Sequence, residues 1–394
     1  MRAIKDSVHD YIEVEGVASA LLDTPPVQRL RHIKQLSTVR LVYPSANHTR
    51  FEHSLGVYHL ADRALDHLDV SGARADKARA AALLHDVGHG PYGHQTEGII
   101  ERRLGRHHDD VTDLLADGPV ADVLGDYGLD PDGVADLIAG DGTLGQLVAG
   151  ELDVDRMDYL VRDAHHTGVP YGTVDHGRLV RALTFRDDDL VLAAGNVATA
   201  ESLLVARALM NATVYRHHVS RIAGGMLERA SERLLDTSDL AVSEFARMTD
   251  DELLAALRDH DETEEFVRRL AERDLYKRAA WCERPAVPED VVVADHDRVR
   301  SFERDIADAA DVPEKHVVVD TPGRPSMPES SARVVVNGDT KRLADHSPLV
   351  EGMQHSQEVQ WRFGVYAPEE HAESVGAAAE RELGLSGVGD AVDY

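Results

Sequence analysis

The residues best suited to chemistry lie in the stretch AAALLHDVGHGP at residues 80–91. Alanine and leucine favour helix and lead into His85 and Asp86, and the glycines and proline that follow predict the end of that helix. Imidazole and carboxylate groups both bind metal ions. Because neighbouring residues on a helix point about 100° apart, this pair is not expected to chelate an ion as residues i and i+4 would. Further ligands are therefore expected from other helices.

The dipeptide His-Asp is weak evidence by itself, because it also begins at residues 9, 108, 260 and 296. Short motifs of this kind often mark a solvated surface rather than a site. Only the pair at His85 follows an apolar helix, precedes a glycine break and leads into further histidines at His89 and His94. This context favours a metal site over a surface feature.

Two other segments supply the missing ligand types. His53 begins a segment with apolar residues at helical spacing and lies on its inward side. Asp155, Tyr159 and Asp163 follow at i, i+4 and i+8 and form a polar stripe beside an apolar face. Each has an ordinary alternative, since His53 could be a satisfied core histidine and the carboxylates a solvated acidic face.

Together, His53, His85, Asp86 and Asp155 form a set of two histidines and two carboxylates from three helices. Such mixed ligands suit Mn, Fe, Zn, Ni or Co, and Mg completes the range of divalent metals that we expect. Coordination positions left open would accept water and a phosphate oxygen. The set predicts metal-assisted hydrolysis.

The composition limits what the protein can bind. Among 394 residues, 71 are acidic and 42 basic, which gives a formal net charge of −29. This charge argues against nonspecific nucleic-acid binding, which needs a basic surface to displace counterions. Only six basic residues are lysines, and the acidic residues are spread along the chain. That pattern is typical of a halophilic surface, with an ordinary acidic enzyme as the alternative.

Cysteine content and apolar runs bear on the compartment. The single Cys282 excludes an intramolecular disulfide and a multi-cysteine zinc site. The first residues lack the apolar core of a signal peptide, and no run approaches the length of a membrane span. We expect a cytoplasmic protein with no membrane partner.

The elements that must position these residues are mostly helical. Loose alternation over residues 4–15 suggests a short hairpin or extended lead-in, and the prolines at 25 and 26 predict a helix start. A long helix or helix pair is expected over residues 197–235, with helices continuing to about residue 280.

Beyond that point, valine runs separated by Pro, Gly and Asp are typical of strands and turns; they lie at 291–293, 317–319 and 334–336. We therefore expect a mainly α protein, with a helical domain and its N-terminal lead-in at 1–283 and a smaller α+β region at 284–394.

The chain resembles the HD-superfamily phosphohydrolases, and within them the deoxynucleoside triphosphate triphosphohydrolases. The similarity covers roughly residues 4–235 and runs through six segments in order: DTPPVQRLR (23–31), KQL (34–36), HTRFEHSLG (48–56), the block from 85 to 94, residues 153–163, and HHTG (165–168). The resemblance implies an HD-domain helical core with a metal held by the four residues named above.

The resemblance also implies catalytic roles around the metal. The residues concerned are Arg50, His89, His94, Glu97 and His108. Arg50, His89 and His94 would contact phosphates, while His94 with Glu97 and His108 would transfer protons during attack on the α-phosphorus. The side-chain chemistry agrees, because arginine offers a bidentate phosphate fork and a histidine can protonate a leaving ester oxygen.

Substrate-binding roles follow from the same resemblance. The residues concerned are Gln35, Arg156, Tyr159, Asp163, Arg207 and Tyr215. Gln35 and Asp163 would engage the sugar 3′-hydroxyl, and the two tyrosines would pack against sugar and base and reject a ribose. Arg156 stands where lysine is often found, and Asn211 and Arg216 differ from some relatives near the base, which leaves base preference open.

An effector site is the third implication. Asp23, Gln28 and Arg31 match residues that contact a guanine nucleotide between subunits in regulated relatives. An ordinary capped helix start, with Asp23 satisfying its own first turn, is the alternative. The expected partners are a deoxynucleotide substrate, a guanine nucleotide effector and further copies of this chain in a dimer or tetramer.

Three functions remain open on the sequence. The first is hydrolysis of a deoxynucleoside triphosphate to deoxynucleoside and inorganic triphosphate. The second is an HD-type phosphatase or phosphodiesterase acting on another phosphorylated metabolite, and the third is a binding protein with a degenerate site. Metal analysis and a product assay that separates triphosphate from single phosphate would distinguish them.

Overall fold

The computed structural model describes residues 1–324 and 331–386. These fall into two units, of which the first comprises residues 1–215, 241–253 and 331–351 and the second comprises residues 216–240, 254–324 and 352–386. The boundary expected between residues 283 and 284 lies inside the second unit, where Cys282 and Val287 belong to one hydrophobic core.

The first unit is mainly helical. Its elements up to the middle of the chain are β1 (Arg2–Asp6), β2 (Asp10–Val14), α1 (Gly16–Leu21), α2 (Pro25–Arg29), α3 (Arg50–His67), α4 (Ala73–Leu84), α5 (His94–Leu104), α6 (Thr112–Ala116), α7 (Gly118–Asp126), α8 (Pro131–Ile138), α9 (Gly142–Val148) and α10 (Val154–Thr167). Then follow α11 (His176–Ala182), β3 (Leu183–Arg186), β4 (Asp189–Leu192), α12 (Val197–Met210), α14 (Val242–Phe245), the start of α15 (Asp250–Arg258), β7 (Arg333–Val336), β8 (Asp339–Arg342) and the start of α19 (Pro348–Gln360).

The N-terminal predictions are confirmed. β1 and β2 form an antiparallel hairpin in which Ile4 pairs with Ile12, and Ile12 and Val14 are buried while Glu13 is exposed. α2 begins at the two prolines and ends after one and a half turns in a 3-10 helix. The alternation and the proline-led start are local signals, which explains why both could be seen in the sequence.

The helices that carry the chemistry pack side by side. α3 contacts both α4 and α10. Ala75, Ala78 and Ala82 on α4 are fully buried, and such small side chains let neighbouring helix axes come close. The expected helix pair after residue 197 is also present, with α12 and α13 (His218–Thr237) separated by a π-helical turn at Asn211–Tyr215.

The second unit is an α+β arrangement. Its elements are α13, most of α15, α16 (Glu264–Glu272), β5 (Lys277–Glu283), α17 (Glu289–Val292), α18 (His296–Ala310), β6 (Val318–Asp320), most of α19, β9 (Arg362–Ala367) and α20 (Ala372–Leu383). The strands form an antiparallel sheet in the order β5-β9-β6. Its core joins Trp361, Phe363 and Val365 to Phe302 of α18 and Val375 of α20.

Three expectations for the C-terminal half need correction. The helices end earlier than residue 280, because β5 starts at Lys277. The valines at 291–293 were expected in a strand, but Val291 and Val292 lie in the short helix α17; a short apolar run does not distinguish strand from helix. Of the other two runs, all residues but Val317 lie in strands, yet β7 and β8 join β3 and β4 in a sheet of the first unit.

The mainly α fold class with a smaller α+β part is confirmed. Within residues 1–324 and 331–386, no helix combines the length and the apolar character needed to cross a membrane.

Candidate active site

Three helix ends place the candidate metal ligands. At the start of α3, the Glu52 carboxylate accepts a hydrogen bond from the Thr49 backbone N–H at 2.6 Å, which closes the first turn and sets His53 one turn into the helix. α4 ends at Leu84, so that His85 is its C-cap residue. At the start of α10, Asp153 accepts from the Arg156 N–H at 2.7 Å and caps the turn that carries Asp155.

The structure brings all four expected ligands together. The Nε2 atoms of His53 and His85 lie 3.3 Å apart. Asp155 Oδ1 lies 2.8 Å from Nε2 of His53 and 3.9 Å from Nε2 of His85. Asp86 Oδ1 lies 3.5 Å from Nε2 of His85. Side chains that are distant in the sequence therefore converge on one point.

The convergence of His85 and Asp86 agrees with their expected place at the end of a helix. Adjacent residues on a continuous helix point about 100° apart, so that this pair would not chelate an ion there as residues i and i+4 do. The helix ends at His85, however, and Asp86 lies in the turn that follows. Because the turn does not impose helical backbone geometry on Asp86, its carboxylate can approach the His85 imidazole.

The hydrogen bonds around the two histidines show that the site suits a cation. His53 donates from Nδ1 to Asp158 Oδ2 at 2.8 Å, and His85 donates from Nδ1 to the Ala82 carbonyl at 2.9 Å. A neutral imidazole with its proton on Nδ1 has a lone pair on Nε2. In the neutral form of both rings, two such lone pairs would face each other beside two carboxylates. This arrangement of buried acceptors fits a divalent metal ion.

The pKa shifts of two candidate ligands, His53 and Asp86, show that ionised carboxylates stabilise a positive charge at this point. Burial lowers the pKa of His53, but hydrogen bonds to Asp155 and Asp158 outweigh it and raise the pKa to about 10. Burial alone would favour a neutral Asp86, yet the charges of Arg50 and His85 hold its pKa well below the usual value. Asp86 Oδ2 is buried and has no hydrogen-bond partner among the described residues.

One supporting residue escaped the sequence analysis. Asp158 is fully buried and accepts hydrogen bonds from His53, from His9 Nε2 at 2.6 Å and from Arg162 Nε at 2.9 Å. Arg162 also donates to Asp6 at 2.9 Å. The N-terminal hairpin and α10 thus share one buried charge network behind a metal ligand. The spacing of Asp155 and Asp158, i and i+3 on one helix, was the available signal.

Gly56 on α3 makes room for this network. An added Cβ at Gly56 would overlap the Asp158 carboxylate. We expect Gly56→Ala to destabilise the protein by about 1–3 kcal/mol, since overpacking outweighs the gain of at most about 1 kcal/mol from alanine in a helix. Metal content should fall as well, because Asp158 orients His53. Denaturant unfolding and metal analysis provide the measurement.

Gly125→Ala is the matched control, because a Cβ at this helical glycine meets no atom within 4 Å. It should leave metal content unchanged and keep or slightly raise stability. Normal stability and metal content in Gly56→Ala would show that Asp158 does not need its present position.

The expected catalytic residues form a second cluster beside the first. Glu97 accepts a hydrogen bond from His94 Nδ1 at 2.7 Å and another from His108 Nδ1. His108 stacks on His89 with ring centroids 4.0 Å apart. Burial raises the pKa of Glu97, but hydrogen bonds from His108 and His94 hold it well below the usual value, so this carboxylate is ionised.

His94 is the member of this cluster that is exposed to solvent. Its side chain is 66% exposed, whereas that of Glu97 is 14% exposed. Desolvation and the charges of Arg50 and His108 lower the pKa of His94, although the hydrogen bond to the Glu97 carboxylate acts in the opposite direction. Because Glu97 holds Nδ1, Nε2 is left accessible to a ligand. His107 Nε2 also lies 3.2 Å from Glu97 Oε1.

Arg50 links the two clusters. It is 2% exposed and donates from Nη1 to Asp86 Oδ1 at 2.9 Å. Its Nε has no hydrogen-bond partner in the described part of the chain. The guanidinium therefore both fixes a metal-ligand candidate and keeps a buried donor for another group.

The expected sugar-binding residues also lie together. Tyr215 donates to Asp163 Oδ2 at 2.7 Å, and His48 Nε2 lies 2.9 Å from Asp163 Oδ1. The rings of Tyr159 and Tyr215 are 6.2 Å apart, and Tyr159 is 6.4 Å from the ring of His53. Arg207 Nε donates to the Tyr159 hydroxyl at 3.2 Å.

Burial raises the pKa of Tyr159 to about 12, so that both tyrosine hydroxyls stay protonated donors near neutral pH. Gln35 Oε1 is buried and has no hydrogen-bond partner among the described residues. Arg156 instead contacts Asp153 and the Gly150 carbonyl. Asn211 lies in the π-helical turn before Tyr215, while Arg216 belongs to the second unit.

The three expected effector residues are engaged locally. Asp23 does not cap its helix; Arg2 donates to it at 2.7 Å. Gln28 donates to the Leu22 carbonyl at 2.7 Å and accepts from Arg31 at 2.9 Å. The Arg31 guanidinium lies 3.5 Å over the ring of Phe51, next to Arg50 in sequence. The capped-helix alternative for Asp23 is therefore wrong.

Comparisons with known proteins match this geometry. A model of the HD domain matches residues 50–163, and a model of the HD associated region matches residues 174–393. An uncharacterized protein of Methanocaldococcus jannaschii is 31% identical over 94% of this chain and 80% of its own length. The structure of a phosphohydrolase from Bacteroides thetaiotaomicron superposes with a TM-score of 0.74 at 25% identity, covering 94% of this chain and 100% of that one.

A further relative carries a more specific name. The deoxynucleoside triphosphate triphosphohydrolase SAMHD1 homolog of Dictyostelium discoideum is 30% identical over 70% of this chain, which spans only 59% of that protein. The HD domain match contains all four converging side chains, and the HD associated match covers more than half of the chain. This chain therefore belongs to the HD superfamily of metal-dependent phosphohydrolases.

Proposed function

We propose that the protein hydrolyses deoxynucleoside triphosphates to a deoxynucleoside and inorganic triphosphate. One observation carries the proposal: a hydrogen-bonded cluster of aromatic side chains adjoins the candidate metal ligands, with the ring of Tyr159 6.4 Å from that of His53 and 6.2 Å from that of Tyr215. A metal centre alone would serve many phosphate esters. The adjoining pocket supplies a place for a nucleoside.

The metal would be held by His53, His85, Asp86 and Asp155, and its identity among Mn, Fe, Zn, Ni, Co and Mg is open. When bound, it would supply Lewis-acid stabilisation of the negative charge that develops on phosphate. The side chains of the protein would do the remaining work of binding, orientation and proton transfer.

Arg50 and His94 have the chemistry for the bond that breaks. Water adds to the α-phosphorus, the bond from this phosphorus to the 5′-oxygen breaks, and the 5′-oxygen takes a proton to become the deoxynucleoside alcohol. Arg50 offers a buried donor to the phosphate oxygens. His94, exposed and held at Nδ1 by Glu97, can deliver the proton from Nε2.

The pocket residues account for sugar recognition. Asp163 and Gln35 have acceptors for the 3′-hydroxyl, and the buried Gln35 Oε1 accepts no hydrogen bond from any residue that the structure describes. The ring of Tyr215 is fixed by its bond to Asp163. A fixed ring beside C2′ leaves little space for a ribose hydroxyl.

The test is a substrate survey with product identification. The purified protein is incubated with each of four deoxynucleotides, alone and mixed, with Mn or Mg, and at high salt in view of the net charge of −29. We expect intact triphosphate as the product, and none from His85→Ala. Release of single phosphate, or turnover of a phosphodiester without turnover of any deoxynucleotide, would favour the HD-type phosphatase or phosphodiesterase instead.

Regulation by a guanine nucleotide is part of the proposal. Arg31 lies over Phe51, one residue from Arg50, so an effector that engages Arg31 and Gln28 would act close to the phosphate-binding donor. We expect GTP or dGTP to raise activity and to favour a dimer or tetramer, because a ligand bound between subunits stabilises the assembly by mass action.

Arg31→Ala should then lose most of the activation while it retains metal and basal activity. Activity with and without GTP, and mass by light scattering, are the measurements; Arg258→Ala, an exposed arginine of α15, is the control. Unchanged activation in Arg31→Ala would show that these residues have only the local contacts described above.

A further inference from the structure

Asp250 is a buried carboxylate that makes an unusual pair of contacts. It is the first residue of α15 and is 4% exposed. Its Oδ1 accepts from the Tyr92 backbone N–H at 2.6 Å, and its Oδ2 accepts from the Lys34 backbone N–H at 2.8 Å. Burial raises the pKa of Asp250 to about 6 even though both bonds lower it. Two acceptor oxygens therefore join two distant backbone segments.

The first segment is the turn that leads into α5. Tyr92 and Gly93 have φ angles of 58° and 54°, a left-handed conformation that is costly for a residue with a side chain. His94 follows directly, and Gly93 lies so close to Arg50 that an added Cβ would clash with the guanidinium. The turn thus sets the start of the helix that carries His94 and forms one wall around Arg50. The bond to Asp250 holds its strained residue.

The second segment precedes Arg50. Lys34 forms a β-bridge with Thr49, and the Arg50 N–H donates to the Ile33 carbonyl at 3.0 Å. Asp250 accepts a hydrogen bond from the Lys34 N–H, at the centre of this segment. The position of the Arg50 backbone therefore depends on the 33–35 segment, which Asp250 anchors.

Arg29 holds the backbone segment that precedes Asp250 in place. Its guanidinium donates to the carbonyls of Arg247 at 2.7 Å and Met248 at 2.6 Å, and to the His89 carbonyl at 2.8 Å. Residues 246–250 are therefore tied from both sides to the segment of residues 89–93. This stretch belongs to the first unit although the second unit flanks it in the sequence.

We propose that Asp250 is a positioning residue for hydrolysis, which holds Arg50 and His94 in place by clamping the 89–93 turn to the 33–35 segment. Among the described residues, its two side-chain hydrogen bonds go to backbone N–H groups and not to a metal-ligand candidate or a proposed sugar-binding side chain. The inference rests on the proposed roles of Arg50 and His94 in phosphoryl chemistry. No role for Asp250 was expected from the sequence.

Asp250→Asn and Asp250→Ala test the clamp. Asparagine keeps one acceptor oxygen and alanine none. We expect kcat to fall about 10-fold in the first and about 100-fold in the second, since small misplacement of reacting groups costs factors of this size. KM should change less than kcat, and metal content should stay full. Asp251→Asn, at the exposed neighbouring residue, is the matched control.

Hydrogen exchange supplies a readout that does not depend on activity. Backbone amides of residues 90, 92 and 93 should exchange faster in both Asp250 variants than in Asp251→Asn, while α3 and α10 keep their protection; residue 91 is a proline and has no amide hydrogen. A folded Asp250→Asn with wild-type kcat, or with unchanged exchange in the turn, would overturn the proposal. So would activity losses that only follow a global rise in exchange, because these would reflect general destabilisation.

The two proposals can fail separately. If the wild-type protein hydrolyses no deoxynucleotide, the proposed function fails, while exchange in residues 90–93 still decides whether Asp250 holds the turn. If the wild-type protein is active and the Asp250 variants match it, the clamp fails and the proposed function stands.

Discussion

His85→Ala is expected to lose bound metal and hydrolysis to background while the helical fold remains. His85 presents Nε2 3.3 Å from Nε2 of His53 and 3.5 Å from Asp86 Oδ1, so its removal takes one of four ligand atoms from the centre. An open catalytic site has few ligands to spare. Asp155→Ala should have the same effect, because its Oδ1 approaches both histidines.

The measurements are metal content by elemental analysis, hydrolysis rate and far-UV circular dichroism. The fold should persist because His85 is the residue after α4 rather than part of its apolar face. His165→Ala, an exposed histidine of α10, is the control and should retain both metal and activity. Full metal occupancy and a wild-type hydrolysis rate in His85→Ala would show that these four residues do not form the catalytic metal site.

Discrimination against ribonucleotides is the second large effect that we expect. A deoxynucleotide should be preferred to the matching ribonucleotide by on the order of 100-fold in kcat/KM, the size of penalty that a shaped pocket imposes on an added hydroxyl. The wall that imposes it is Tyr215, whose hydroxyl is tied to Asp163 at 2.7 Å. Tyr215→Ala should lose most of this preference and retain its metal.

Competition between the two nucleotides in one reaction gives the ratio of kcat/KM directly. Tyr127→Ala, at an exposed tyrosine beyond α7, should keep the wild-type ratio. Equal turnover of the two nucleotides by the wild-type protein would contradict the assignment of Tyr159, Tyr215 and Asp163 to a sugar pocket. A Tyr215→Ala variant that keeps its preference for the deoxynucleotide would show that another residue excludes the ribose hydroxyl.

Local signals made much of the helical core predictable. Helix-forming residues followed by glycines marked the end of α4, and the spacing of apolar residues placed His53 at the inward start of α3. Where such signals are ambiguous, prediction was wrong. Val291 and Val292 looked like strand because β-branched residues favour it, but Pro288, Glu289 and Asp290 start a helix there.

The supporting residues of the site could not be predicted in the same way. Asp158 depends on His9 and Asp6 from a hairpin about 150 residues earlier, and periodicity within one helix shows no such partner. Asp250 stands beside Asp251 and Glu252 as one of three acidic residues in the first turn of α15. No local pattern distinguishes the buried residue from its exposed neighbour, because its burial is decided by the turn at Tyr92.

The oxygen of the attacking water tests the central claim most directly. The wild-type protein is incubated with a deoxynucleotide in ¹⁸O-labelled water, and the products are identified by mass spectrometry. Attack on the α-phosphorus predicts one ¹⁸O atom in inorganic triphosphate and none in the deoxynucleoside, with no signal from His85→Ala. Labelled pyrophosphate or single phosphate, label in the deoxynucleoside, or a His85→Ala variant that still releases labelled triphosphate would contradict the account.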